Sequence, residues 1–226
     1  MLYKTRGIVF RFTKFGETSI IVNIFTELFG LQSYIVNGVR SKSAKGRIAL
    51  YQPLTLLDLV VYHKENANIM RIKEVRCAYP YQSLTSNVRK SAQALFLNEM
   101  LNKSVKEQSH TQELFDFLFE AFVKLDTQAT GYENSHLIFL LKLSSYLGFE
   151  PQLIEEVLQG RLADKKEETI LTELLKADFT DHLVMTAMQR RNLLDLLLRF
   201  YATHIDNLGE IKSVQILREI LNWLLI

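Results

Sequence analysis

The hydrophobic periodicity of this chain changes once, near Pro80, and that change limits the folds open to it. Before it, apolar residues recur at every second position: Ile8, Phe10 and Phe12 alternate with Val9 and Arg11, and Ile20, Val22 and Ile24 alternate with Ser19 and Asn23. A period of two places successive side chains on opposite faces of a strand. Strands are predicted over residues 5–12, 19–25, 31–39, 54–62 and 69–78, all rich in Ile, Val, Phe, Tyr or Thr, with Gly16, Gly30 and Asn66-Ala67-Asn68 as turns. Five short strands within about eighty residues fit a small closed barrel, because closure removes exposed edges. The leading form is the five-stranded oligonucleotide-binding barrel (OB-fold); an SH3-like barrel has a similar pattern.

After Pro80 the period becomes helical. Leu114, Leu118, Phe122 and Leu125 lie on one helix face, as do Leu137, Leu140 and Leu141, and Gly148 follows Leu147 as a stop. Ser86 is predicted to cap a helix running to about Lys103, and Glu150-Pro151 to start one ending at Gly160. Leu193, Leu194, Leu197, Tyr201 and Ile205 form a strong stripe, and Val214, Leu217, Leu221 and Leu224 another. Stripes this wide need burial on neighbours, which implies a helical bundle. The expected architecture is therefore α+β, with an N-terminal OB-fold barrel over residues 1–79 and an all-helical domain over 80–226.

Charge divides at the same place. Residues 1–79 hold twelve Lys and Arg against five Asp and Glu, a net +7, and the remainder is net −5. Such asymmetry points to a polyanion face on the first part, against the plainer reading of a basic surface with no partner. Arg40, Lys42, Lys45 and Arg47 crowd a Ser- and Gly-containing loop between two predicted strands. Mobile cations and hydroxyls suit phosphate oxygens, which carry charge but no sequence information. Arg6, Arg11, Lys14, Arg71 and Lys73 complete the candidate nucleic-acid set, with Phe12, Phe15, Tyr34, Tyr51 and Tyr62 as aromatics interleaved among them.

Most catalytic chemistry is absent. The nine glycines are isolated, so there is no phosphate-cradling loop. The five histidines lack ligand spacing, and the single cysteine, Cys77, in a predicted strand, reads as a buried structural thiol. Glu155, Glu156, Glu167 and Glu168 fit a solvated face better than an acid–base pair. Charges interrupt every apolar stretch before the roughly 18 residues of a membrane span, and nothing at the start reads as a signal peptide. No enzyme activity, cofactor, metal or membrane is expected, and the single thiol suits a reducing, cytoplasmic setting.

Several runs resemble the RecO family of recombination mediators. They are Arg6-Gly7-Ile8-Val9-Phe10, Phe15-Gly16-Glu17-Thr18-Ser19, Phe25-Thr26 with Gly30, Gly38-Val39-Arg40-Ser41-Lys42-Ser43, Tyr51-Gln52-Pro53 and Leu147-Gly148-Phe149-Glu150-Pro151. The ordered set carries the resemblance, which is strongest over residues 1–80 and 137–151. It implies a barrel followed by helices, binding of single- and double-stranded DNA, and annealing of complementary strands. It also implies work with RecR to load RecA onto strands covered by single-stranded-DNA-binding protein (SSB), and capture of the acidic C-terminal tail of SSB. Arg40, Lys42, Lys45 and Arg47 would then be backbone contacts. Many family members carry a four-cysteine zinc module after the Gly-Phe-x-Pro stretch, whereas residues 152–178 here hold no cysteine. For the SSB tail, the expected pocket lies between the helix from about Thr186 to Leu208 and the last helix, with Arg190, Arg191, Arg199 and Lys212 around it. An OB-fold RNA-binding or translation accessory protein, and a helical interaction scaffold without nucleic acid, are the alternative readings.

Overall fold

Strand β1 (Leu2–Phe15) is long enough to serve two neighbours. Its first half pairs antiparallel with β4 (Leu56–Tyr62), from Leu2↔Tyr62 to Ile8↔Leu56. Its second half pairs with β2 (Ser19–Thr26), from Gly7↔Thr26 to Phe15↔Ser19. The register slips between Val9 and Arg11, and such a bulge bends the strand from one neighbour to the other. Gly7 sits where the neighbouring strands crowd inward. A Cβ there would lie 2.6 Å from Ile24 Cγ2 and 2.7 Å from Leu59 Cδ1, so any larger residue would have to displace these core side chains.

β3 (Gly30–Val36) continues antiparallel from β2, and β5 (Met70–Tyr79) pairs with β4. The ring closes through a short parallel contact between β3 and β5, giving a closed barrel in the order β1-β2-β3-β5-β4. The five strands follow the predicted order. Val9, Ile20, Val22, Ile24, Tyr34, Leu57, Leu59 and Val61 fill the interior. Tyr34 and Tyr51, expected among the interleaved aromatics, are 0% and 2% exposed and belong to this core. Cys77, expected to be buried, is exposed: Met70, Ile72 and Val75 are the β5 residues packed on the barrel core, and Cys77 lies beyond them.

The structure, a computed structural model, describes residues 1–41, 46–64, 67–106 and 111–222. Lys42, Lys45 and Leu224 therefore lie outside the described residues. Two compact units divide the chain: Met1–Tyr81 with Val105–Glu120, and Gln82–Ser104 with Ala121–Ile226. The barrel's unit thus also takes in most of helix α2 (Thr111–Thr127).

The second unit is helical. Helix α1 (Val88–Ser104) begins two residues after the expected cap, because the Asn87 side chain, not that of Ser86, accepts from the Arg89 and Lys90 N–H groups. Helix α3 (Ser135–Tyr146) stops at Gly148, whose φ of 85° suits glycine. Phe149 then stacks on His204 at 4.8 Å and packs against Tyr201, which gives the Leu-Gly-Phe stretch a packing role. Pro151 does not open a helix; α4 (Ile154–Leu158) starts three residues later and ends at Gln159. Helix α5 (Lys165–Lys176) was not expected from the sequence, although Asp164 caps it by accepting from the Glu167 N–H at 2.8 Å. Helices α6 (Ala187–His204) and α7 (Ser213–Asn222) bury Leu193, Leu194, Leu197 and Tyr201 of one predicted stripe and Val214, Leu217 and Leu221 of the other, whereas Ile205 lies just past α6 and is half-buried. Among the described residues no helix is long and apolar enough to cross a membrane.

Candidate nucleic-acid interface

The barrel is weakest where β3 meets β5. Parallel pairing there covers only Tyr34↔Met70 and Ile35↔Arg71, after which the ladder ends. A cavity of about 410 Å3 lies along this seam. Ile35, Val36 and Asn37 line it from β3, and Arg71, Ile72, Lys73 and Val75 from β5. Arg47 and Tyr51 enter from the 3-10 turn Arg47–Tyr51, and Tyr62 from the end of β4. Three of the nine candidate cations, Arg47, Arg71 and Lys73, thus converge on one cavity that, among the described residues, no acidic side chain lines.

Local structure explains how they reach it. Between β4 and β5 the partners run Val61↔Ile72 and then Val60↔Glu74, so Lys73 is the extra residue of a β-bulge. A bulge turns one side chain away from the regular alternation. Arg47 opens its turn directly after Gly46, whose φ of 91° suits a residue without a Cβ. Burial raises the Tyr51 hydroxyl above its ordinary pKa, and nearby Arg47 opposes that rise. Arg47, Arg71 and Lys73 are all exposed.

The other described candidates separate from this group. Arg11 and Lys14 are exposed on the second half of β1. Arg40 is half-buried and acts on the β1–β2 hairpin: its Nη1 donates to the carbonyls of Gly16 at 3.3 Å and Ser19 at 3.2 Å. Phe15, 50% exposed, stands on the same hairpin. Arg6 has its guanidinium occupied by Glu27 and Asp116, with Phe115 and Phe119 rings 4.9 and 5.2 Å away. Nothing in the linear sequence pairs Arg6 with Asp116, which follows 110 residues later.

In the helical unit, Arg190 and Arg191 line a crevice with Leu194, Leu217, Leu221, His136 and Arg218. Its volume is about 10 Å3, room for one water molecule at most. Arg190 donates through Nε to Asn134 Oδ1 at 2.8 Å, so it braces this unit from within. His136 is fully buried, and burial, followed by the charge of Arg190, pushes its pKa down to about 3. Arg199 and Lys212 are exposed and do not line the crevice. Arg218 does line it and was not anticipated, although it follows Leu217 on the last predicted stripe. Among the described residues no three His, Cys, Asp or Glu side chains group as metal ligands.

A closed barrel with a cationic seam, followed by a helical region, defines an OB-fold protein with an appended helical domain. The chain belongs to the RecO family of DNA repair proteins: the family models "Recombination protein O N terminal" and "Recombination protein O C terminal" match residues 1–81 and 86–168. A DNA repair protein RecO from Flavobacterium johnsoniae is 35% identical over 236 residues, covering 97% of this chain and 99% of that protein. One from Bacteroides fragilis is 32% identical over 240 residues with the same coverage.

Proposed function

We propose that the chain binds DNA strands through the cationic β3–β5 seam, anneals complementary strands, and works with RecR in loading RecA onto SSB-covered DNA. The observation that carries the reading is the convergence of Arg47, Arg71 and Lys73 on one cavity with no acid among its described lining residues. Lys14 and Arg40 at the β1–β2 hairpin extend the phosphate-binding surface. The names of the relatives, each a DNA repair protein, support the same reading.

The mechanism needs no catalytic group. Two complementary strands repel through their phosphates, and cations that neutralise those phosphates lower the barrier to contact. Base pairing then supplies all the sequence information. The helical domain takes the SSB tail at the α6–α7 crevice, where Arg191 suits its carboxylates, Arg218 being held by Asp195, and Leu194, Leu217 and Leu221 suit its terminal apolar side chain. A crevice of about 10 Å3 must widen to accept that side chain.

The test is a titration of fluorescent single-stranded DNA at several salt concentrations, followed by annealing of complementary oligonucleotides with and without RecR. Neutralisation of three to five phosphates gives a log–log salt slope of roughly −2 to −3.5. A salt-independent response overturns the reading, and a preference for structured RNA transfers it to RNA.

A further inference from the structure

The β3–β5 seam holds more than cations. The ring of Tyr62 lines the cavity and is 48% exposed, although β4 ends there and its inward side chains Leu57, Leu59 and Val61 are buried. Tyr62 lies opposite Arg71 in the β4–β5 ladder, so ring and guanidinium are cross-strand neighbours. Beyond Ile35↔Arg71, the facing edges of β3 and β5 share no ladder pair among the described residues. Val36 and Ile72 keep their pairing to β2 and β4, and with Asn37 and Lys73 they line the cavity on the side where β3 and β5 part.

A cavity of about 410 Å3 falls within the roughly 300–1,000 Å3 of small-molecule sites, whereas binding along a duplex backbone needs no cavity. Its apolar walls are Ile35, Val36, Ile72 and Val75, and the charged groups among its described lining residues are all cationic. Apolar walls, an accessible aromatic ring, the polar side chain of Asn37 and three cations match the parts of one nucleotide: a flat base with polar edges, joined to phosphates.

We propose that the seam is a socket for a single unstacked nucleobase, stacked on Tyr62, with the flanking phosphates held by Arg47 and Arg71. The inference rests on the DNA-binding reading and adds the form of the ligand. A base within a duplex is already stacked and paired, and freeing it costs a few kcal/mol. The socket therefore favours single strands over duplexes. It is tolerant of sequence, because every base offers a π face.

The experiment uses the full-length protein and two probes of equal length: an oligothymidine and an abasic strand with the same phosphate backbone. Tyr62→Ala should weaken oligothymidine binding roughly 5- to 150-fold and leave the abasic strand's affinity unchanged, whereas Tyr62→Trp should retain oligothymidine binding. In a Trp223→Phe background, the fluorescence of Tyr62→Trp should be quenched by oligothymidine and not by the abasic strand, which decides the matter even if Tyr62→Ala folds poorly. If Tyr62→Ala binds both probes like the parent, or loses both equally, and the introduced tryptophan is not quenched, the socket is wrong while DNA binding stands. If the parent binds neither probe at low salt, the DNA-binding reading falls and the socket with it.

Discussion

Arg6 and Glu27 are joined by two hydrogen bonds, Nε to Oε2 at 3.0 Å and Nη2 to Oε1 at 2.8 Å, and the same Nη2 reaches Asp116 at 2.7 Å. This two-pronged geometry fixes the guanidinium plane and fastens the start of α2 to the barrel within one compact unit. Arg6→Ala should lower stability by about 1–2 kcal/mol, a charged hydrogen-bonded pair discounted for partial exposure. Because the guanidinium is occupied, the same variant should keep the parent's salt slope for DNA. Denaturant unfolding and salt-dependent DNA titration check the two halves.

Glu27 also sets an acid limit. The Arg6 hydrogen bonds hold its carboxyl below the ordinary value of 4.5, despite opposing burial. Its folded pKa is depressed, so its contribution is complete above about 4.5 and is lost as pH falls through the lower folded value. The stability difference between the parent and Glu27→Gln should therefore shrink as the pH is taken below 4.5. Urea midpoints measured across that range check it, and a difference independent of pH contradicts it.

His136 acts over a higher range. It is neutral in the fold down to about pH 3 but takes up a proton near 6.5 when unfolded. Its contribution is complete above 6.5 and is lost as pH falls towards about 3. Between these limits a single such group changes stability by up to about 1.4 kcal/mol per pH unit. His136→Leu should flatten the parent's pH dependence from 6 to 4 by a large part of that slope, read from unfolding curves.

The three seam cations can be tested together. Arg47→Ala, Arg71→Ala and Lys73→Ala combined should reduce the magnitude of the single-strand salt slope by roughly 2, at about 0.7 for each phosphate no longer neutralised. The thermal midpoint should hardly move, since exposed side chains away from special features contribute within about 0.5 kcal/mol. Arg40→Ala should behave differently and lower the midpoint, because its bonds to the Gly16 and Ser19 carbonyls brace the hairpin. Differential scanning calorimetry separates the two outcomes.

The helical domain gives two further expectations. The purified protein should carry no stoichiometric zinc, and a chelator should leave its unfolding unchanged, since Cys77 is the only thiol. Binding of an SSB tail peptide should fall in Arg191→Ala and persist in Arg199→Ala, which lies away from the crevice. Metal analysis and peptide fluorescence anisotropy check these.

Local pattern along the chain settled the element types. A period of two with glycine turns can satisfy only half-buried strands, and leucine stripes at helical spacing need one buried helix face, so the barrel and most helices were legible before any packing was known. Helix α5 escaped because its stripe is short, with only Leu171 and Leu174 buried among charged neighbours. The cations were legible as a set, but their grouping was not. Arg47, Arg71 and Lys73 share a cavity because β3 and β5 close the barrel through two residue pairs, and because a bulge displaces Lys73. Arg6 leaves the set because Asp116 returns to it from 110 residues away. Strand closure, register slips and ion pairs across such separations follow from how the whole chain packs, which short-range periodicity does not encode. Exposure of Cys77 and burial of Tyr34 and Tyr51 were decided the same way, by where the barrel core ends.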